Sequence, residues 1–184
     1  MTNAPPQPAE HIVPRAAEAR SIAELAPHAV DPRIAAFAVY WLRLRPEPGA
    51  LPSRARIDPV DVPKLLPILY LVDVLHAPRL RFRWRLRGTD LVRAVGEDYT
   101  GRFLDEAHPR FEGSRAETQF RAVAAGGSCW WLGPPTSTNP PDVLYVERLV
   151  LPLAADGRTV DMLIGATIFT HPWQMGAEDA RRRA

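Results

Sequence analysis

Apolar residues recur along the chain with two different periods, and the switches between them mark its elements. From Asp31-Pro32 onward, Ile34, Phe37, Ala38 and Trp41 return at the spacing of a helix. Asp suits the N-cap and Pro the first helical position, so a helix is predicted from Asp31 to Arg45, stopping before Pro46. Asp58-Pro59 repeats the start signal and predicts a short helix or turn to about Leu66. Ile68 to Leu75 is short, apolar and bounded by Pro67 and Pro78, which reads as a buried strand. The segment RLRFRWRLRG then alternates: Leu80, Phe82, Trp84 and Leu86 face one way, and Arg79, Arg81, Arg83, Arg85 and Arg87 the other. Residues 68–87 are therefore expected to form a β-hairpin.

Gly88 ends that hairpin, and Thr89 can cap a short helix through Val95. Short helical turns are expected over Gly96 to Ala107. A longer helix is predicted over Phe111 to Ala125, closed by Gly126-Gly127. Three strands follow: Ser128–Leu132, Val143–Ala154 and Thr159–Phe169, the last two joined by the hairpin turn Asp156-Gly157. Runs of strands beside runs of helices predict an α+β fold with an antiparallel sheet.

Composition sets limits on this picture. The chain has 184 residues, 46% of them hydrophobic, enough for one domain with a sizeable core. Residues 1–20 are rich in Pro and Ala without an amphipathic pattern and read as a disordered leader. Residues 31–64 hold the N-terminal helix and a connecting segment, residues 65–170 the core, and residues 171–184 a frayed basic tail ending in Arg181, Arg182 and Arg183. The start has no apolar secretory core, and the longest apolar stretch, Leu65 to Leu75, falls short of the roughly 18–20 residues of a membrane span. A cytoplasmic location is the expectation. Net charge is only +2, although the 23 basic residues are all arginine except Lys64. With charge so nearly balanced, clustering decides whether a polyanion can bind.

The arginine stripe is the sharpest cluster. Arg81, Arg83 and Arg85 could converge on phosphate or carboxylate, as an anion or nucleotide binder would require. Acids such as Asp73 on the neighbouring strand could equally neutralise them, leaving a charged edge that resists pairing with other chains. Exposed aromatics do not interleave the stripe, which argues against nucleic acid. The sequence contains no HExxH, GxSxG, P-loop or GxGxxG pattern, and adjacent Asp105-Glu106 would point apart on a helix. The expectation is a non-catalytic protein without a metal site. The single cysteine, Cys129, reads as a buried thiol.

The order of elements and its punctuation resemble the PAS domain. Five segments carry the likeness: the helix Tyr40-Trp41-Leu42-Arg43-Leu44-Arg45-Pro46, LPSRARIDPVDVPKLLP, FRWRLRGTDLV, YTGR and VLPLAADGRTVDM. Together they are similar to a family of stand-alone bacterial PAS proteins. The resemblance implies a five-stranded antiparallel sheet in spatial order 2-1-5-4-3, with small helices and one longer helix over one face. It places Trp84 and Leu86 in the interior. Trp84, Phe103, Phe120, Trp130 and Trp131 should then cluster where the longer helix crosses the sheet, as core or as the wall of a small apolar pocket. Arg148 interrupts an apolar strand, and facing inward it would need an anionic partner.

The resemblance further implies a sensor or interaction module that binds a small ligand or a signalling protein and works as a homodimer. Both faces of the last two strands look apolar, so one needs a lid. Phe37 and Trp41 of the first helix, with Leu149 and Leu151, are the expected dimer interface. A small-ligand carrier or an enzyme using the aromatic pocket is the alternative. Haem-binding relatives place a histidine on the long helix; here His108 only precedes it, so haem is not expected. Flavin photochemistry needs a cysteine in a helix, whereas Cys129 opens a strand, so flavin is not expected either.

Overall fold

The computed structural model describes residues 8–13, 29–134 and 142–171; most of the leader, part of the Pro-rich loop and all but the first residue of the basic tail lie outside them. Helix α1, Pro32–Leu44, begins where the Asp-Pro signal places it. The Asp31 carboxylate accepts the Arg33 N–H at 2.8 Å, satisfying one of the donors a helix start leaves open. Asp58 does the same for Val60 at 2.9 Å, although only a single 3-10 turn follows it.

The sheet is built from β1 (Ala9–Val13), β2 (Leu69–Leu75), β3 (Arg81–Arg87), β4 (Ser128–Gly133), β5 (Tyr145–Leu153) and β6 (Met162–Thr170), with all neighbours antiparallel. The five expected strands lie in the expected order, 2-1-5-4-3. A sixth strand corrects the picture. Residues 9–13, expected to be disordered, pair along the outer edge of β4. Only Ala9, Ile12 and Val13 give this segment apolar character, without an alternating pattern, so tertiary partners make it a strand. His11 stacks against Trp130 at 5.5 Å, and Glu10 accepts a hydrogen bond from the buried Gln119 at 2.6 Å.

Both faces of this sheet are covered by the chain itself, which is why β5 is buried almost throughout its length. On one face Trp130 stands opposite Leu149, and Leu132 opposite Glu147. Helix α1 packs there, burying Ile34, Phe37, Ala38 and Trp41. The Trp41 indole donates to the Pro152 carbonyl at 3.0 Å. The lid that the apolar face required is therefore α1 of the same chain. This corrects the assignment of Phe37, Trp41, Leu149 and Leu151 to a dimer interface: none is more than 1% exposed, so they offer no surface to a partner.

Glu147 fixes where α1 begins. Its buried carboxylate accepts the Val30 N–H at 2.9 Å, the Asp31 N–H at 2.8 Å and the Trp130 indole N–H at 2.9 Å. A negative charge here also meets the positive end of the α1 dipole. The opposite face of the sheet carries α2 (Thr89–Val95), α3 (Leu104–Ala107) and α4 (Arg115–Ala124), with α4 crossing β4, β5 and β6. Helix α4 starts four residues later than expected. Ser114 accepts the Glu117 N–H while Glu117 reaches back to Gly113, so a reciprocal cap sets the start, and Phe111 lies before it.

Candidate ligand cavity

Pairing between β2 and β3 determines what the helix-covered face presents. Val74 pairs with Phe82, Asp73 with Arg83 and Val72 with Trp84, but Leu71 then pairs with Leu86 and Tyr70 with Arg87. Arg85 is the extra residue of a β-bulge. Side chains alternate across a strand, so one extra residue exchanges the faces of everything beyond it. Trp84 stays on the inner face, as expected. Leu86, expected inside, is 44% exposed. Arg87, expected outside, turns inward.

Arg79, Arg81 and Arg83 are neutralised by the chain's own carboxylates, while Arg85 stands exposed with no ion pair among the described residues. Arg81 binds Asp105 at 2.6 Å and Glu106 at 2.7 Å, and its guanidinium lies 3.6 Å from the Phe103 ring centre. Arg83 binds Asp73 at 2.9 Å. Arg81 holds the Asp105 carboxyl below the usual carboxylate range through their hydrogen bonds. Of the two explanations the sequence allowed for Arg81 and Arg83, internal pairing is the one realised. Phe103 serves as the platform for Arg81 and is not in the cavity wall.

Between the inner face and α2–α4 lies a cavity of about 170 Å³. Its sheet side is formed by Tyr70, Trp84, Arg87, Arg148, Thr167 and Phe169. Leu91, Leu104, Phe111 and Phe120 supply apolar walls, and Arg110 and Arg115 stand exposed at its rim. The register explains the sheet side: Arg148 pairs with Thr167, while Gly165 pairs with Val150 on one side and Tyr70 on the other. A β-carbon at Gly165 would collide with the Tyr70 ring, so only glycine lets that ring lie across the strand. The Tyr70 ring stacks on Phe120 at 6.4 Å and meets Trp84 edge-on at 5.5 Å.

Of the six expected pocket residues, Trp84, Phe120 and Arg148 come together here. Arg148 faces inward. Trp130 does not line the cavity: it lies on the α1 face, held by Glu147. Trp131 is on the inner face but packs with Val143, Val146 and Phe169, its ring 5.9 Å from the Arg148 guanidinium. Sequence reasoning missed Tyr70, Arg87, His108 and Thr167. Gly165 within an apolar strand is the signal that could have located Tyr70, because such a glycine often marks close approach by another group.

The electrostatics of the wall are one-sided. Arg87 donates to the backbone carbonyls of Glu97 at 2.8 Å and Leu91 at 3.4 Å, and its guanidinium sits 5.1 Å from the Trp84 ring centre. Burial lowers its pKa from the ordinary value, yet a guanidinium stays charged at any physiological pH. His108 lies edge-on to Tyr99 at 4.9 Å and to Trp84 at 6.2 Å. Burial, with Arg87 and Arg102 nearby, lowers the His108 pKa, so the imidazole is neutral at pH 7. Burial also pushes the Tyr70 hydroxyl up to about 12. Tyr70 Oη, Trp84 Nε1 and Arg87 Nε are buried in the cavity wall without a hydrogen-bond partner among the described residues. An unmet polar atom costs about 1–3 kcal/mol, so three around one cavity is a concentration of unmet bonding capacity.

A PAS family model matches residues 30–168, three quarters of the chain and every element from α1 to β6. The chain belongs to the PAS domain family. The family is one of sensory and ligand-binding modules, and the cavity of this PAS domain lies between the sheet and its short helices. Among solved structures, the chain is similar to an RNA-binding light-oxygen-voltage receptor, at 16% identity and a TM-score of 0.46. That alignment covers 98% of this chain and 45% of the receptor chain, so this PAS domain spans less than half of the receptor's length. The likeness is too slight to bring any property of the receptor to this chain. No curated protein matches it. Among the described residues, no helix is long and apolar enough to cross a membrane.

Cys129 lies in β4 and is buried, and burial pushes its thiol up to about 12. The thiolate is the reactive form, so the native protein should resist an aromatic disulfide reagent at pH 8 and react with one equivalent after unfolding. Rapid reaction of the folded protein would contradict this burial.

Proposed function

We propose that this PAS domain is a non-catalytic sensory module whose cavity takes a small ligand, and that occupancy changes its contacts with a second copy of the chain or with a signalling protein in the cytoplasm. The observation that carries the proposal is the group of three partnerless buried polar atoms, on Tyr70, Trp84 and Arg87, in the wall of one cavity. A packed core without a ligand role would be expected to pair such atoms or replace them with apolar groups. Helix α1 is committed to the sheet, so any dimer contact involves other surfaces.

Native mass spectrometry of protein purified without denaturation tests the proposal. A stoichiometric bound compound is expected, together with the mass of the assembly. The variant Ala116→Phe, placed on α4 at the cavity wall, should keep the fold and lose the compound. A compound retained at full stoichiometry by that variant would move the site elsewhere.

A further inference from the structure

The charge around the cavity specifies the kind of ligand. Four arginines line it (Arg87, Arg110, Arg115 and Arg148) and no aspartate or glutamate does. Their neutralisation is incomplete. Arg115 reaches Glu10 only at 4.0 Å, and Arg87 is held by two backbone carbonyls, which carry no net charge. Arg110 and Arg148 form no ion pair among the described residues. The nearby acids bond elsewhere, Glu97 to Arg102 at 3.2 Å and Asp98 to the Thr100 backbone and hydroxyl, and act on Arg87 only through space. This contrasts with Arg81 and Arg83, earlier on the strand that carries Arg87, which both have carboxylate partners.

A polar spot on the sheet, flanked by Trp84 and Phe169, is faced by apolar side chains, with Arg110 and Arg115 at the rim. Arg148 and Thr167 sit side by side on the sheet, with Tyr70 on the next strand. Phe120, Leu91 and Leu104 face them from the helices, and Phe111 from the segment before α4. An aliphatic or aromatic body fits the helix side, and an acidic group fits the sheet side. The size is also informative, since a cavity of about 150 Å³ accommodates a single benzene ring.

We propose that the cavity selects small organic anions: a carboxylate, held at the sheet by Arg148 with Thr167, on an apolar body of about one ring lying against Phe111 and Phe120. This rests on the cavity being a ligand site, as proposed above. A guanidinium binds a carboxylate through two parallel N–H···O bonds, each stronger than a neutral hydrogen bond. An uncharged isostere of the same shape gains the apolar contacts but not this pairing. A cation meets four like charges.

Three probes of nearly equal shape test the selection by calorimetry on the full chain stripped of any bound compound: phenylacetate, phenylacetamide and phenethylamine. Phenylacetate is expected to bind about tenfold or more tightly than the amide, and the amine not at all. Arg148→Met should remove the preference for the acid while leaving the amide unchanged, and Thr167→Val should weaken the acid alone. A thermal melt confirms that each variant is folded. Equal binding of acid and amide, or a preference that survives in Arg148→Met, overturns the charge selection and leaves the ligand site standing. Failure of all three probes overturns the selection as well. If native mass spectrometry then also finds no bound compound, the ligand site falls with it.

Discussion

Replacing Trp41 with alanine should destabilise the protein by about 3–5 kcal/mol, the cost of removing a large aromatic side chain from a core. Trp41 is fully buried between α1 and the sheet, and its indole N–H satisfies the Pro152 carbonyl. The substitution leaves a void that neighbours on two rigid elements cannot collapse to fill. It also leaves the Pro152 carbonyl without that donor. For a chain of this size each kcal/mol lowers the melting temperature by roughly 2–4 °C, so the shift is well within reach of a thermal melt. If Trp41 worked at a subunit interface instead, the loss would depend on protein concentration. Melting curves of Trp41→Ala at concentrations a hundredfold apart should therefore coincide relative to those of the unaltered chain.

Glu147→Ala should cost about 2–4 kcal/mol, because three donors lose their acceptor at once. Val30 N, Asp31 N and the Trp130 indole all point at this carboxylate. The damage should be local: amide hydrogen exchange should rise first at residues 30–36 and less in β2 and β3. Uniform loss of protection, or none, would contradict the assignment of Glu147 as the pin that sets the start of α1. Burial pushes the Glu147 carboxyl above its ordinary value, while the three donors only partly pull it back. A raised carboxyl favours folding while protonated, and that contribution is lost as pH rises through the raised value. The stability advantage of the native chain over Glu147→Gln should thus shrink as pH rises from about 4 through that window.

The architecture was largely legible because local and global signals agree in it. Asp31-Pro32 names a helix start, Asp156-Gly157 names a hairpin, and the apolar runs of β2, β5 and β6 name strands buried on both faces. Strand β1 was not legible, since residues 9–13 become a strand through Trp130 and Gln119, which are far away in sequence. The cavity was half legible. Trp84, Phe120 and Arg148 are conspicuous by type, and each faces it. Trp130 looked equivalent to them, but the parity of β4 sends it to the other face. Phe37 and Trp41 looked like an unsatisfied stripe because a sequence does not show which surface lies opposite. Leu86 and Arg87 exchanged places because a bulge leaves the alternation of letters intact while interrupting the alternation of faces.

That single unpaired residue at Arg85 makes pairing register a determinant of chemistry. Composition alone would give β3 a wholly charged outer side and a wholly greasy inner one. With one residue looped out, the same letters carry a cation into the interior and put a leucine in water. Nothing about the amino acids at 86 and 87 had to change for this to happen; only the pairing of the residue before them did. If Arg85 paired regularly with Leu71, Leu86 would come in beside Tyr70 and the Arg87 guanidinium would go back to solvent. Deleting residue 85 would instead remove the bulge and keep both side chains where they are. One of the four cationic side chains around the cavity of this PAS domain is, in that sense, placed there by strand register.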